Sequence, residues 1–514
     1  MRTSLLLILL LPFYAVSQNV GIGTTTPDIT AKLDVSSTTQ GFLPPRMTSI
    51  QRDAIVAPAN GLVIYNITTN CLEIYRAVSW YSVCNGGVYI TGKTNKLIGG
   101  VNTENPYSME QTADGGFIVA GISNSSVNGD VTGTNHGGYD IWVVKLDGGG
   151  NILWNRLYGG SADDIAESII QTADGGYVVA GYSASSATGD VSGVNNGLND
   201  YWIIKLDAAG NILWNKLYGG SLNDYAYSIA STTDGGYAVT GYAVSSATGD
   251  VVAANHGGSD VWVLKLDASG NIVWNKLLGG GNDDDSYSIR QTSDGGYIIS
   301  GDSNSSANGD VTDINHGSYD FWVIKLDPSG NISWNKLFGG SGSEGSFSSF
   351  QTTDGGYILA GYSGSSASGD VTAVTHGLND LWIVKLNSSG AITWNKLVGG
   401  SNEDFGRSVR QTTDGGFIIA GNSLSGSSGD ITDPGHGGSD YIVTRLTSAG
   451  TLSWVKLYGG IGTEAAYSVI QLADGGFMLA GYSSSSANGD VIPVNHSALN
   501  DFWILKLAGS GIIF

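Results

Sequence analysis

An all-β fold class follows from three observations. The pair Gly129-Asp130 returns at 189, 249, 309, 369, 429 and 489, a sixty-residue period in seven copies. Each copy holds four short apolar runs; in the second they are AESIIQT, YVVAGYS, DYWIIKLD and NILWNKLYG. The array is split at its ends: TNKLIGG (from Thr94) matches the later WNKLYGG, and the chain stops at GIIF, where a fourth run is starting. Four antiparallel strands per unit describe a propeller blade. A front segment that completes the last unit describes a closed ring, which removes the open sheet edges that invite aggregation. The prediction is a closed seven-bladed β-propeller over residues 89–514, preceded by a small mainly-β module over 18–88.

The chain opens MRTSLLLILLLPFYAVSQ: a charged start, an apolar run Leu5–Leu11, then small residues. This is the pattern of a secretory signal peptide, residues 1–17, with cleavage expected after Ser17. The run is too short to span a bilayer, which takes about 20 apolar residues. No other segment is long and apolar enough, so no membrane span is expected. Export leads to the periplasm, the cell surface or the medium.

The next stretch carries strand-like runs (LDV, GLVIYN, LEIYR, SWYSV) and a short helix, SIQRDAIV, with Thr48 as its cap. Its two cysteines, Cys71 and Cys84, are expected to pair across a hairpin in an oxidising compartment. Its GIGTTTP and GFLPPRM segments resemble the N-terminal module of many exported proteins of the Bacteroidetes group and the collars of trimeric tail-fibre proteins. The resemblance implies an attachment or spacer module, with a homotrimer as one outcome. It implies no activity.

Within the repeats, turn chemistry joins first to second run (ADGG) and third to fourth (AAG), whereas about fourteen residues join second to third. Both faces of the third run are apolar, as in a strand covered on both sides. Trp142, Trp202, Trp262, Trp322, Trp382 and Trp503 recur there, and Trp154, Trp214, Trp274, Trp334, Trp394 and Trp454 recur in the fourth run. Aromatics of that size at fixed strand positions are expected to form the contacts between blades. The YGGS…D segment, the DGGYVVAGYS hairpin and the KLDAAGNILW turn resemble the bacterial seven-bladed β-propeller repeat family. That resemblance covers all seven blades and implies fold and export, not a reaction. The KLD..GNILW segment is also similar to quinoprotein-type blades, without implying a cofactor.

Three polar columns gather on the face of the long loops. One is acidic in every blade, from Glu104, Asp164 and Asp224 to Glu464; another runs from Asp140, Asp200 and Asp320 to Asp501. The third contains all six histidines, among them His136 and His316, with Asn196 replacing histidine in the second blade. Asp130, Asp190 and Asp310 open the same loops. Metal sites are one reading, with calcium as the candidate ion, although calcium-loop spacing is missing. The other is a side-chain network fastening each loop to its blade, as WD-repeat propellers do with histidine, aspartate, serine and tryptophan. By analogy of placement, Asp140, Asp164, Ser183 and Trp142 would serve here. Sevenfold repetition favours structure, because catalysis needs an unsymmetrical set of roles.

Specific function is expected where the repeat breaks. The most variable column of the first strand is Glu110, Ile170, Ala230, Arg290, Phe350, Arg410 and Ile470. It shares a face with the Ser168 column, so Glu110, Arg290 and Arg410 would project into the central channel. Two arginines suit a carboxylate or sulfate; an internal ion pair or solvated channel residues are the alternatives. Asp302, replacing the tyrosine of GYS, has no assignable role. No nucleophile-elbow, phosphate-loop or zinc-spaced histidine motif is present.

The net charge of −22 opposes nucleic acid and anionic membranes as partners. The expected function is an exported, non-catalytic binding or adhesion protein with a glycan, cell-surface or protein ligand. The alternatives are a carbohydrate-active enzyme (a polysaccharide lyase or hydrolase) at the channel mouth, and a structural envelope or fibre component. No cofactor other than calcium is implied.

Overall fold

The computed structural model describes residues 20–22, 33–37, 39, 41–68, 71–76, 79–82 and 94–513. The expected cleavage site, Cys84 and the module boundary near 88 lie outside the described residues. Two compact units divide the chain, residues 1–77 and 78–514.

In the first unit, Val63–Asn66 pairs antiparallel with Cys71–Arg76 and parallel with Arg46–Met47. Ser49–Asp53 forms the short helix. Its entry is a reciprocal capping box: the Gln51 N–H donates to Thr48 Oγ1, and the Thr48 N–H donates to Gln51 Oε1. Arg52 is buried against Glu73 at 2.8 Å. Cys71 is disulfide-bonded; Cys84, its expected partner, is not among the described residues.

The second unit contains seven four-stranded antiparallel sheets. Blade two is Asp164–Gln171, Tyr177–Ser183, Asp200–Leu206 and Ile212–Tyr218 in sequential order, and blades one and three to six repeat it. Blade seven takes three strands from Glu464–Gln471, Phe477–Ser483 and Asp501–Leu507, and its fourth, Asn95–Ile98, from the front. The register sets Leu97 opposite Trp503 and Lys96 opposite Ile504. After the final turn, Ile513 adds one bridge, to Leu507. Blades seven and one also share a core, in which the Trp142 and Phe502 rings lie 4.6 Å apart. The ring is closed.

Blades stack through the third strands. Tyr201 against Trp262, Phe321 against Trp382 and Tyr441 against Trp503 repeat the Phe502–Trp142 contact at 4.5–4.6 Å. The six third-strand tryptophans are fully buried. The fourth-strand column is only partly covered: Trp154 lies under the turn of the next blade, where a Cβ on Gly210 would stand 2.9 Å from its ring. Glycine is required there on two counts, since its φ is +81°.

One feature of the first strand breaks simple alternation. In every blade the pairing with the second strand skips a residue, as between Ala166 and Ser168 in blade two. This β-bulge leaves Glu167 and its equivalents unpaired and re-aims them.

Candidate functional site

The sevenfold polar columns build the joints between blades. Asp130 N–H donates to Gly99 O, and Gly99 N–H donates back to Asp130 Oδ2. Asp190 with Gly159 and Asp310 with Gly279 repeat this clamp. Asp164 Oδ2 accepts the Gly160 N–H and the Ser185 hydroxyl, and its Oδ1 accepts the Ser183 hydroxyl. Asp224 accepts the Gly220 N–H and the Ser245 hydroxyl. The His136 N–H donates to Asp140 Oδ2, with the ring Nδ1 2.9 Å from the same oxygen. His316 stands likewise on Asp320, and Asn196 N–H donates to Asp200.

The histidine does not serve one blade alone: His496 Nδ1 is 2.8 Å from Asp501, and its Nε2 is 3.4 Å from Asp130 of blade one. The tryptophan holds the loop through an amide rather than through the carboxyl groups. Trp142 Nε1 donates to Asn155 Oδ1, which also accepts from Thr132 and so ties the long loop to the fourth strand.

At each joint two buried carboxyl groups converge on a glycine. A Cβ on Gly459 would stand 2.0 Å from Asp440 Oδ1 and 2.7 Å from Glu464 Oε2. The Oδ1 atoms of Asp140, Asp200, Asp260, Asp320, Asp380, Asp440 and Asp501 have no hydrogen-bond partner. Burial pushes both acids of each joint up; Asp164, Asp200, Asp284 and Asp404 reach about 6. Among the described residues no group of three or more histidine, cysteine or acidic side chains is arranged to hold a metal.

The unsymmetrical residues line the channel. A belt of serines circles it. Six accept an N–H from the next blade, as Ile169 donates to Ser108 Oγ and Ser349 to Ser288 Oγ, and the seventh, Ser468, donates its hydroxyl to Met109 O. Below the belt, toward the DGG turns, come Glu110, Arg290 and Arg410. They line a cavity of about 390 Å³ together with Phe350, Ile170 and Ile470. A second cavity, of about 410 Å³, shares Glu110, Ile170, Arg290 and Phe350 with the first. Glu110, Ile170, Arg290 and Phe350 thus form a neck where the two cavities meet, and Arg410 and Ile470 line the first cavity beside it.

The charges in the neck are unbalanced. Glu110 Oε2 accepts the Gln171 N–H at 2.6 Å and reaches the arginines only through its field; among the described residues no ion pair joins them. Arg290 Nε is buried without an acceptor. Arg410 donates to Val409 O and lies 5.8 Å from the Phe350 ring centre. Burial and the neighbouring charge of Arg290 push Arg410 down to about 9.

Sequence reasoning missed the tier above the belt. The bulge turns Tyr107, Glu167, Tyr227, Tyr287, Phe347, Arg407 and Tyr467 into the same cavity as the neck residues. The rings meet edge to face around the channel, Tyr227 against Tyr287 and Tyr287 against Phe347. Arg407 lies 4.6 Å from the Tyr467 ring centre and donates to Asn422. Burial raises Glu167 to about 8, with Arg407 pulling the other way. A column of five aromatics, one acid and one base was the readable signal, hidden by the assumption of strict alternation. Asp302 now has a place: it is the cross-strand neighbour of Asp285. Burial and the nearby aspartates push its carboxyl well above the ordinary range.

The phage tail-like trimerisation region matches residues 21–98. Over 375 residues, 66% of this chain, the sequence is 25% identical to regulatory protein FlaEY of Caulobacter vibrioides, and the match spans 39% of that protein's length. The Neurospora crassa Pan2 WD40 domain is similar over 81% of this chain and 97% of its own, at 11% identity and a TM-score of 0.41. Sqt1 of Chaetomium thermophilum is similar over 80% and 99%, at 13% identity and 0.39. The propeller assignment rests on the strand pairing described above.

Proposed function

We propose that the chain is an exported, non-catalytic binding or adhesion protein that meets a glycan, a cell-surface component or another protein on its long-loop face. One observation carries the reading: the loops are fastened at both ends yet present apolar side chains to solvent. Asp130-type clamps and Asn155-type bonds hold the loop backbone. On the same loops Val194, Ile314, Val374 and Val494 are 65–73% exposed. Apolar groups displayed on a rigid polar rim are what a recognition surface offers. The repeated acids and histidines are engaged in the joints, which supports binding over catalysis.

A carbohydrate-active enzyme is the second reading, favoured by the acid pair Asp285 and Asp302. Both carboxyls are pushed up, Asp285 to about 6, as general acids are. A fibre or envelope component, trimeric through the N-terminal module, draws support from the trimerisation-region match. Glycan arrays and cell-binding measurements on the full chain, beside turnover assays on acidic and neutral polysaccharides, separate these. Binding without turnover, lost in an Ile314→Asp/Val374→Asp variant, supports the proposal. Turnover abolished by Asp302→Asn overturns it.

A further inference from the structure

The channel neck lies apart from the loop-face reading and has its own chemistry. We propose that Arg290 and Arg410 form a binding site for a monocarboxylate whose apolar body rests on Phe350, Ile170 and Ile470.

Four observations lead there. Two guanidinium groups share the neck with a single carboxylate, and Glu110 already accepts a backbone N–H. Arg290 Nε is a buried donor with no acceptor, a destabilising state that an anionic ligand relieves. Burial, and then the charge of Arg290, lower the preference of Arg410 for its charged form, and an anion beside both groups relieves that. Space is available in the cavity of about 390 Å³ that both arginines line, and in the one of about 410 Å³ beside Arg290.

Charge selects the ligand class. Two arginines against one glutamate leave a single uncompensated positive charge. A monoanion neutralises it; a dianionic phosphate would leave a negative charge facing Glu110. The guanidinium fork matches the two oxygens of a carboxylate. The ring of Phe350 and the side chains of Ile170 and Ile470 give no hydrogen bonds, so the part of the ligand that rests on them is apolar. These residues stand only in their own blades: no other blade carries arginine at this position.

Calorimetry on the full chain with benzoate, benzamide and inorganic phosphate tests the site. Benzoate binding, with benzamide and phosphate at least tenfold weaker, is expected. Arg290→Met and Arg410→Met should each weaken benzoate at least tenfold, and Glu110→Gln should tighten it. The Glu110→Gln arm also keeps the test decisive should an arginine variant fail to fold. N-acetylphenylalanine and a short peptide ending in phenylalanine distinguish a free acid from a chain terminus; loss of either on amidation supports the site. No benzoate binding at tens of millimolar, equal binding of benzamide, or no change in Glu110→Gln would overturn it. Loop-face binding lost in Ile314→Asp/Val374→Asp but kept in the arginine variants separates this outcome from failure of the proposed function.

Discussion

The Trp503 indole N–H donates to Asn95 Oδ1 at 2.8 Å, across 408 positions of chain. Asn95 also donates to Asp490 O, so it does for blade seven what Asn155 does for blade one. The same indole–amide bond links Trp202 to Asn215, Trp322 to Asn335 and Trp382 to Asn395. In blade six Ile442 and Val455 replace both members, and both are buried. Losing donor and acceptor together is cheap, whereas losing one leaves the other orphaned. Asn95→Val is therefore expected to cost about 1–3 kcal/mol, read as a lower denaturant midpoint. An unchanged midpoint would mean that the bond contributes nothing to closure.

Val127 occupies the left-handed region, with φ of 48°, at a position where five other blades place alanine. A β-branched residue is a poor occupant of that region, at a cost of about 1–2 kcal/mol. Val127 is 65% exposed, so little packing is lost on replacement. Val127→Asn should raise stability by up to about 1 kcal/mol, measured by thermal melting. A fall in melting temperature would contradict the strain argument.

The joints and the hairpins titrate in opposite senses. Asp164, Asp200, Asp284 and Asp404 are raised to about 6, mainly by burial. Their contribution is full below about pH 4, the ordinary aspartate value, and is lost as pH rises through 6. Asp174, Asp234, Asp294 and Asp354 are lowered to about 2, with hydrogen bonds from the hairpin threonine and partner lysine as causes. Their contribution is present above about pH 4 and lost as pH falls toward 2. It is weaker, because these carboxylates are largely exposed. Melting temperature should accordingly be higher at pH 4.5 than at 7.5, and Asp164→Asn should narrow the difference. A steady rise across that interval would contradict the joint assignment.

Calcium titration bears on the same joints. Their carboxylate oxygens converge on glycine Cα atoms and on N–H and hydroxyl donors rather than on an open cage. Millimolar calcium is expected to leave the melting temperature unchanged. A rise of several degrees would show that the loop acids bind the ion.

The sixty-residue period, the four strands and the split ends made the ring legible, because burial repeats faithfully: Trp142 and its equivalents pack with the residue after the aspartate of the neighbouring third strand, aromatic at four joints and Ile141 or Val261 at two. The neck was legible for the same reason inverted, as Arg290 and Arg410 break a column that strand alternation aims inward. Glu167, Arg407 and the aromatic tier were not. They sit one residue off the alternating pattern, and the bulge that admits them is a backbone event with no sequence signature beyond Gly181 and its equivalents. A Cβ on Gly181 would fall 1.8 Å from Ile165 O. The sharing of His496 between Asp501 and Asp130 was illegible because it depends on how neighbouring blades dock.

Every assignment of loops to one face and of strands to one channel depends on closure of the ring by Asn95–Ile98. The most direct test is a paired-cysteine variant, Lys96→Cys/Ile504→Cys, at directly opposed positions. Oxidation followed by mass mapping is expected to give an intramolecular 96–504 disulfide in nearly all molecules, with a raised melting temperature. Free thiols, or disulfides formed only between chains, would contradict a closed seven-bladed ring.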